Sequence, residues 1–350
     1  MLTLQFFKQG ALSIFELTPN LKHFLKVSTI NSKCHPLSTS SSLSFRYETM
    51  AQPPNKRVLV KLLKNGAFES AHFTQCLVDE LSPGCADGVC SCVVDLDGAS
   101  LLISPPQTDK HLVKLKHPPF CPFHALTKEE IARLPEEINN RGMDCGAAVI
   151  LESGNGHILL IRRAEHLRTF PGIWVPAGGH IEPDETLSSA GLRELHEETG
   201  LTITEDMCTS PVSILAVWES VFPPKLSLGQ PKRHHAVVYL HARLKPEFTS
   251  TSLEVKVNMD PEEVGACAWF DRSKVKAIVA SREDEGNKDE GDSSDIPELF
   301  SALIIDKNKQ QVAGQLEFAD LLKTAREDKD QRGRVSTGTK FALEEWLTLT

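Results

Sequence analysis

The sequence predicts an α/β protein, with helices layered on a mixed sheet. Three observations carry that expectation. "CGAAVILES" and "HILLIRRA" are apolar runs joined by "GNG", the pattern of a β-hairpin. "ETLSSAGLRELHEETG" has the length and spacing of a helix and follows a strand-like "IWVPAGG". More strand-like runs, "VSILAVWESVF" and "HHAVVYLHARL", come after it, so strands and helices are interleaved.

The elements follow in chain order. Residues 1–49 carry Lys8, Lys22, Lys26, Lys33 and Arg46 against only Glu16 and Glu48, and include the serine-rich "STSSSLSF". That composition reads either as an organellar transit segment or as an extended start ahead of Met50. Residues 50–140 form a small N-terminal region. In it "RVLVKLL" and "SCVVDLDGASLLIS" read as strands, "LKHPPFCPFHAL" as an irregular connection and "TKEEIARLPEEI" as a short helix. Residues 141–281 hold the main domain. Its central helix has Asp184 as a candidate N-cap and Gly200 as its stop. "ACAWF" is a short strand and "DRSKVKAIVAS" a helix. Residues 282–295 form an acidic linker; the stretch from Ser281 to Asp295 holds seven acids and two bases. Residues 296–350 resume with "LFSALII" and end on "TKFALEEWLTL", an amphipathic helix expected to pack on the core.

The totals narrow the function. The chain has 350 residues, 40% of them hydrophobic, and a formal net charge of -9. An acidic chain does not offer the broad basic surface that DNA needs, although a local basic patch can hold a phosphate-rich ligand. No long apolar run marks a transmembrane helix, so no membrane partner is expected. Nine cysteines without a secretory signal point to reduced thiols inside the cell, in the cytoplasm or, if residues 1–49 are a transit segment, the mitochondrion. Cys85, Cys90, Cys92 and Cys121, with His124, are a possible zinc set. Their spacing is not that of clean ligand pairs, so small buried thiols are the simpler reading.

The chemistry concentrates between Gly178 and Leu201. On a helix Glu194, Glu197 and Glu198 share a face, because positions three and four apart are neighbours. Three carboxylates held there repel one another unless a cation joins them. Hard oxygen ligands on a rigid element suit Mg²⁺ or Mn²⁺, which complete their shells with water and substrate phosphates. Gly178 and Gly179 let the backbone turn tightly and approach a ligand. Arg193 points to another side of the helix, where Glu185 is expected to pair with it.

The segment from Gly179 resembles the Nudix box, G-x5-E-x7-R-E-U-x-E-E-x-G-U with U aliphatic. Gly179, Glu185, Arg193, Glu194, Leu195, Glu197, Glu198, Gly200 and Leu201 fill every position. The resemblance to Nudix hydrolases implies an α/β/α sandwich in which the box is a loop–helix–loop. It implies metal-dependent hydrolysis of a nucleoside diphosphate linked to another moiety, with Glu194, Glu197 and Glu198 as catalytic metal ligands. Gly179, Glu185, Arg193 and Gly200 are then structural members of the box. "PPFCPFHAL", "WVPAGGHIE" and "RVSTGTKFAL" extend the likeness to the mRNA-decapping type, which implies a capped RNA as substrate. Release of 7-methyl-GDP and a 5′-monophosphate RNA would follow. The alternatives are NADH or ADP-ribose hydrolysis and a binding-only Nudix module. "ESVFPPKLSLGQPK" departs from the stretch found in Nudix NADH pyrophosphatases, and an intact box counts against binding alone.

Residues outside the box must read the substrate. Arg162 and Arg163 end a strand beside the box loop, and alternation sends them to opposite faces. Lys232, Arg233, His234 and His235 stand at the mouth of another strand as a basic lip. Trp174, Trp218 and Phe222 are candidates to stack on a base, weighed against simple core packing. Glu197 is one candidate general base; Glu262 and Glu263, on a later loop, are others.

Overall fold

Alternating burial begins at the first strand. In β1 (Leu59–Lys64) Val60 and Leu62 point inward, and Asn65–Gly66, both with positive φ, turn the chain tightly into β2 (Ala67–Ser70). The computed structural model describes residues 57–281, 297–324 and 332–349, apart from Ala86 and Phe120. The presequence expected over residues 1–49 and the acidic linker over 282–295 lie outside the described residues.

After β2 come α1 (Leu77–Leu81), β3 (Val89–Asp97), β4 (Ser100–Ser104) and β5 (Val113–Lys116). Three short helices follow: α2 (Pro122–Ala125), α3 (Lys128–Ala132) and α4 (Glu136–Asn139). The single helix expected at "TKEEIARLPEEI" is therefore two, because Pro135 cannot continue a helix and becomes the N-cap of the next. β6 (Asp144–Glu152) and β7 (Ile158–Arg163) are the hairpin around "GNG". The expected strand "IWVPAGG" is also two. Pro176 separates β8 (Trp174–Val175), which pairs with β7, from β9 (Ala177–His180), which pairs with β6. The box helix is α5 (Leu187–Thr199), and β10 (Ser213–Phe222) and β11 (Arg233–Arg243) form a long antiparallel ribbon behind it. α6 (Ser250–Glu254), β12 (Val264–Phe270), α7 (Arg272–Ala280), β13 (Leu299–Ile305), β14 (Gln311–Glu317), α8 (Phe318–Leu322) and α9 (Thr337–Thr348) complete the described chain.

One mixed sheet runs β14-β13-β12-β7-β6-β11-β10-β5-β3-β4-β1-β2. A pairing of Leu59 with Asp144 joins β1 back to β6 and closes the strands from β6 to β1 into a ring. The N-terminal region thus contributes strands to the same sheet as the box. One face of the sheet, including the inside of the ring, buries Val60, Leu101, Ile103, Leu115, Val217 and Val238, and receives α5 through Ala190 and Leu195. The opposite face buries Ile150, Leu160, Trp174 and Phe270 under α7 and α9, which contribute Ile278, Phe341, Leu343 and Trp346. Each such fully buried side chain contributes roughly 1.5–3 kcal/mol of transfer free energy. Helices on both faces of the mixed sheet make the α/β/α layering.

Candidate active site

Helix α5 has definite ends, and they set where its carboxylates point. Its N-cap is Thr186, whose side chain accepts from the Ser189 amide; Asp184, the expected cap, lies outside the helix at a φ of 69°. Gly200 ends the helix in the left-handed conformation at a φ of 71°. Between these ends Glu194 and Glu198, one turn apart, face β9. Glu198 is 2% exposed, and its Oε2 accepts the Gly178 N–H at 2.9 Å. Burial, helped by the charges of Glu194 and Glu263, pushes the Glu198 carboxyl up to about 8 against the downward pull of the Gly178 N–H and Arg163. Burial also raises Glu194, against the pull of Arg193.

The loop glycines are required by contact. A Cβ on Gly179 would collide with the Glu194 carboxylate, and one on Gly178 would collide with the backbone of β6. Arg193 ties the outer side together. Its Nε donates to Glu185 at 2.7 Å, Nη2 to the His180 carbonyl at 2.9 Å, and Nη1 to both Glu194 and Glu197 at 2.9 Å. The guanidinium is long enough to reach around the helix, so Arg193 is not confined to Glu185 as the sequence suggested. Glu197 is the most exposed of the three box carboxylates, at 54%.

A second segment supplies a further carboxylate. The Asp260 N–H donates to the Glu198 carbonyl at 3.1 Å, and the Asn258 N–H to that of Thr199 at 2.8 Å. These bonds anchor the loop into β12 so that Glu263 lines the cleft beside Glu194 and Glu198. Glu262, its neighbour, is exposed and paired with Lys309 instead.

A cavity of about 440 Å³ opens between these acids and the β10–β11 ribbon. Arg163, Arg233 and Arg334 bring positive charge to its walls, and Phe170, Trp218, Phe222 and Tyr239 bring aromatic surface. The Phe170 and Phe222 rings meet edge to face with centroids 5.1 Å apart. His235 also lines it; burial, then the charges of His234, His180, Arg233 and Arg163, push the ring down to about 3, so it is neutral. The donor set fits a divalent cation. The charges of Glu197 and Glu263 raise the proton affinity of Glu194, and those of Glu194 and Glu263 raise that of Glu198; a cation would relieve this repulsion, and oxygen-only ligands of this kind suit Mg²⁺-like ions.

Several sequence-derived substrate residues lie elsewhere, and strand alternation is the reason. Arg163 faces the cleft and Glu198, but Arg162 turns to the other face, toward Glu165 and Asp320. Arg233 and His235 line the cavity, but His234 points into the ring. There Nδ1 donates to the Phe73 carbonyl at 2.7 Å and Nε2 meets the Glu219 carboxylate at 2.9 Å, with both side chains wholly buried. Trp218 lines the cavity, whereas Trp174 is core, packed edge to face on Phe270 and Phe300. Cys121 gathers with Cys76 and His117, not with Cys85, Cys90 or Cys92; the His124 side chain lies outside the described atoms. Tyr239 and Phe170 carry no sequence pattern that marks them, and Arg334 stands out only as the first residue of "RVSTGTKFAL". Arg334 reaches the cleft because its backbone carbonyl accepts the Trp174 N–H at 2.9 Å, which docks the C-terminal segment alongside β8.

This arrangement of glycine loop, glutamate helix and layered sheet matches a family model described as the NUDIX domain over residues 144–289. The chain belongs to the Nudix hydrolase family. It is similar to the m7GpppN-mRNA hydrolase NUDT17 of Danio rerio, 40% identical over 293 residues, covering 83% of this chain and 95% of that one. The Homo sapiens protein of the same name is 38% identical, with 83% and 88% covered. Among solved structures, a MutT protein from Methanosarcina mazei Go1 aligns with 37% of this chain and 78% of its own, at 23% identity and a TM-score of 0.28. No helix among the described residues is long and apolar enough to cross a membrane.

Proposed function

We propose that the chain hydrolyses a pyrophosphate bond in a nucleoside diphosphate-linked substrate, and that the substrate is the 5′ cap of mRNA. The observation that carries this reading is the single cleft that joins an acidic end, Glu194, Glu198 and Glu263, to a wall of arginine and aromatic side chains. The acidic end suits metal-bridged phosphate; the other wall suits a stacked base and the remaining charge. The likeness to proteins named as m7GpppN-mRNA hydrolases over most of both chains favours the cap among nucleotide substrates.

A bound Mg²⁺ or Mn²⁺ would neutralise phosphate oxygens and lower the pKa of attacking water. Glu194, Glu197 and Glu198 are the residues to hold it, and Glu197 must leave Arg193 to do so. Glu263, which lines the cleft wall, accepts a proton from the water that attacks phosphorus. The bridging P–O bond then breaks, and the two products are 7-methyl-GDP and a 5′-monophosphate RNA. Arg163 and Arg233 hold the phosphate chain in line, so positioning and charge neutralisation supply most of the rate. Trp218, Phe222 and Phe170 are the surfaces for the base.

A product-resolved assay tests the reading. Purified chain with Mg²⁺ or Mn²⁺ is given methylated cap, unmethylated cap, NADH, ADP-ribose and CoA. Methylated capped RNA should show the highest kcat/KM and yield 7-methyl-GDP. A higher kcat/KM for NADH or ADP-ribose overturns the cap assignment, and no product from any of the five overturns the hydrolytic one.

A further inference from the structure

Cys76 comes from one segment, His117 and Cys121 from another forty residues on, and all three are buried. Cys76 immediately precedes α1, His117 immediately follows β5, and Cys121 immediately precedes α2. Their ligating atoms lie within 4.8 Å of one another. Cys76 Sγ is 3.3 Å from His117 Nδ1. On a tetrahedral zinc, with Zn–S near 2.3 Å and Zn–N near 2.0 Å, a sulfur and a nitrogen ligand stand about 3.5 Å apart. The same edge length applies to sulfur and oxygen, and Glu219 Oε2 lies 3.5 Å from Cys76 Sγ.

The imidazole is also aimed. A Cβ on Gly88 would lie 2.6 Å from His117 Nε2, so only glycine, at its φ of 62°, lets the ring sit there. Seated against Gly88 by that edge, the ring presents Nδ1 to the sulfurs. Two thiols and an imidazole are borderline-soft donors, unlike the all-oxygen set of the cleft, and they select zinc over magnesium. The segment between β5 and β6 holds only short helices, and a metal that crosslinks it would contribute folding free energy directly.

We propose that Cys76, His117 and Cys121 bind one structural Zn²⁺, with Glu219 at the side of the fourth position. The site backs onto the cleft. Glu219 lies on β10 between Trp218 and Ser220, and His117 precedes Pro118; these three neighbours line the cavity. The metal would therefore brace the wall that holds substrate without touching it.

The test counts metal on the full chain, expressed in zinc-supplemented medium and purified under reducing conditions without chelator. Mass spectrometry of the metal should give one zinc per chain in the wild type and background in C76S and C121S. E198Q should keep its zinc, which separates this site from any metal at the glutamates. Wild-type chain reloaded with Co²⁺ should show thiolate-to-cobalt charge-transfer absorption, and chelation should lower its Tm. If C76S and C121S fail to fold, the wild-type zinc count and cobalt spectrum decide. Zinc-free wild type that takes up no Co²⁺ with a thiolate band overturns the proposal. So does a Cys76–Cys121 cross-linked peptide in a non-reducing digest, the mark of a disulfide between them.

Discussion

The two sides of the cleft are built by opposite rules of side-chain direction. On α5 residues three and four apart share a face, so Glu194 and Glu198 converge on the same loop although three residues separate them. On the β10–β11 ribbon adjacent residues part company. Arg233 and His235 line the cavity, while His234 between them is sealed in the ring with Glu219. Trp218 and Ser220 face the cavity, and Glu219 between them does not. A helix concentrates chemistry from a short stretch of sequence, whereas a strand divides it between a wet face and a dry one. Residue type predicts function only once the face is known.

The sharpest way to break the comparison is to remove charge from the helix side. Glu198→Gln keeps the side-chain volume and a partner for the Gly178 N–H. It removes the buried carboxylate most suited to a cation. With metal saturating, kcat should fall by on the order of a thousandfold, matching several kcal/mol of lost charge stabilisation, while Tm changes little. Near wild-type kcat in this variant would exclude Glu198 from the metal site.

The ribbon should answer in the opposite currency. His234→Ala leaves the Glu219 carboxylate buried without its imidazole, and breaking a buried pair in this way costs about 3–5 kcal/mol. Urea unfolding should show that loss. His235→Ala, one residue along, should leave stability nearly unchanged and raise KM. Equal destabilisation by the two variants would mean that alternation does not govern this wall.

Much of the fold was legible because periodicity is local. The box helix, the hairpin around "GNG" and the strands β10 and β11 follow from runs of spacing that need no knowledge of the rest of the chain. Prolines 135 and 176 each split one expected element in two, a local signal that the apolar pattern had overridden. The closure of β1 onto β6 was not legible, since it joins Leu59 to Asp144 across the whole N-terminal region. The site divides in the same way. The helix glutamates were readable from spacing. The cleft positions of Arg334 and Glu263, and the gathering of Cys76 with His117 and Cys121, depend on long-range pairing.

The β7 arginines test the comparison at a smaller scale. Arg163→Ala removes a guanidinium that faces the cleft and Glu198, and should lower kcat/KM by about 10–100-fold, the equivalent of one or two charge-assisted contacts. Arg162→Ala, on the other face, should leave kcat/KM within about twofold and act on stability alone through its half-buried stem.

The smallest effect is expected at Glu262, whose neighbour in sequence is also acidic. Glu263 lines the cleft, and Glu262 is exposed, with Lys309 and His166 beside it. Lys309 holds the Glu262 carboxyl below the usual range, yet both partners are 61% exposed, and water screens such a pair. Glu262→Ala should therefore leave both Tm and kcat at their wild-type values, whereas Glu263→Gln should lower kcat with Tm unchanged. Melting curves and initial rates on the two variants, run side by side at saturating metal, measure the contrast. A loss of rate in Glu262→Ala that matches the loss in Glu263→Gln would place both carboxylates on one functional surface, and the proton-accepting role would no longer belong to Glu263 alone.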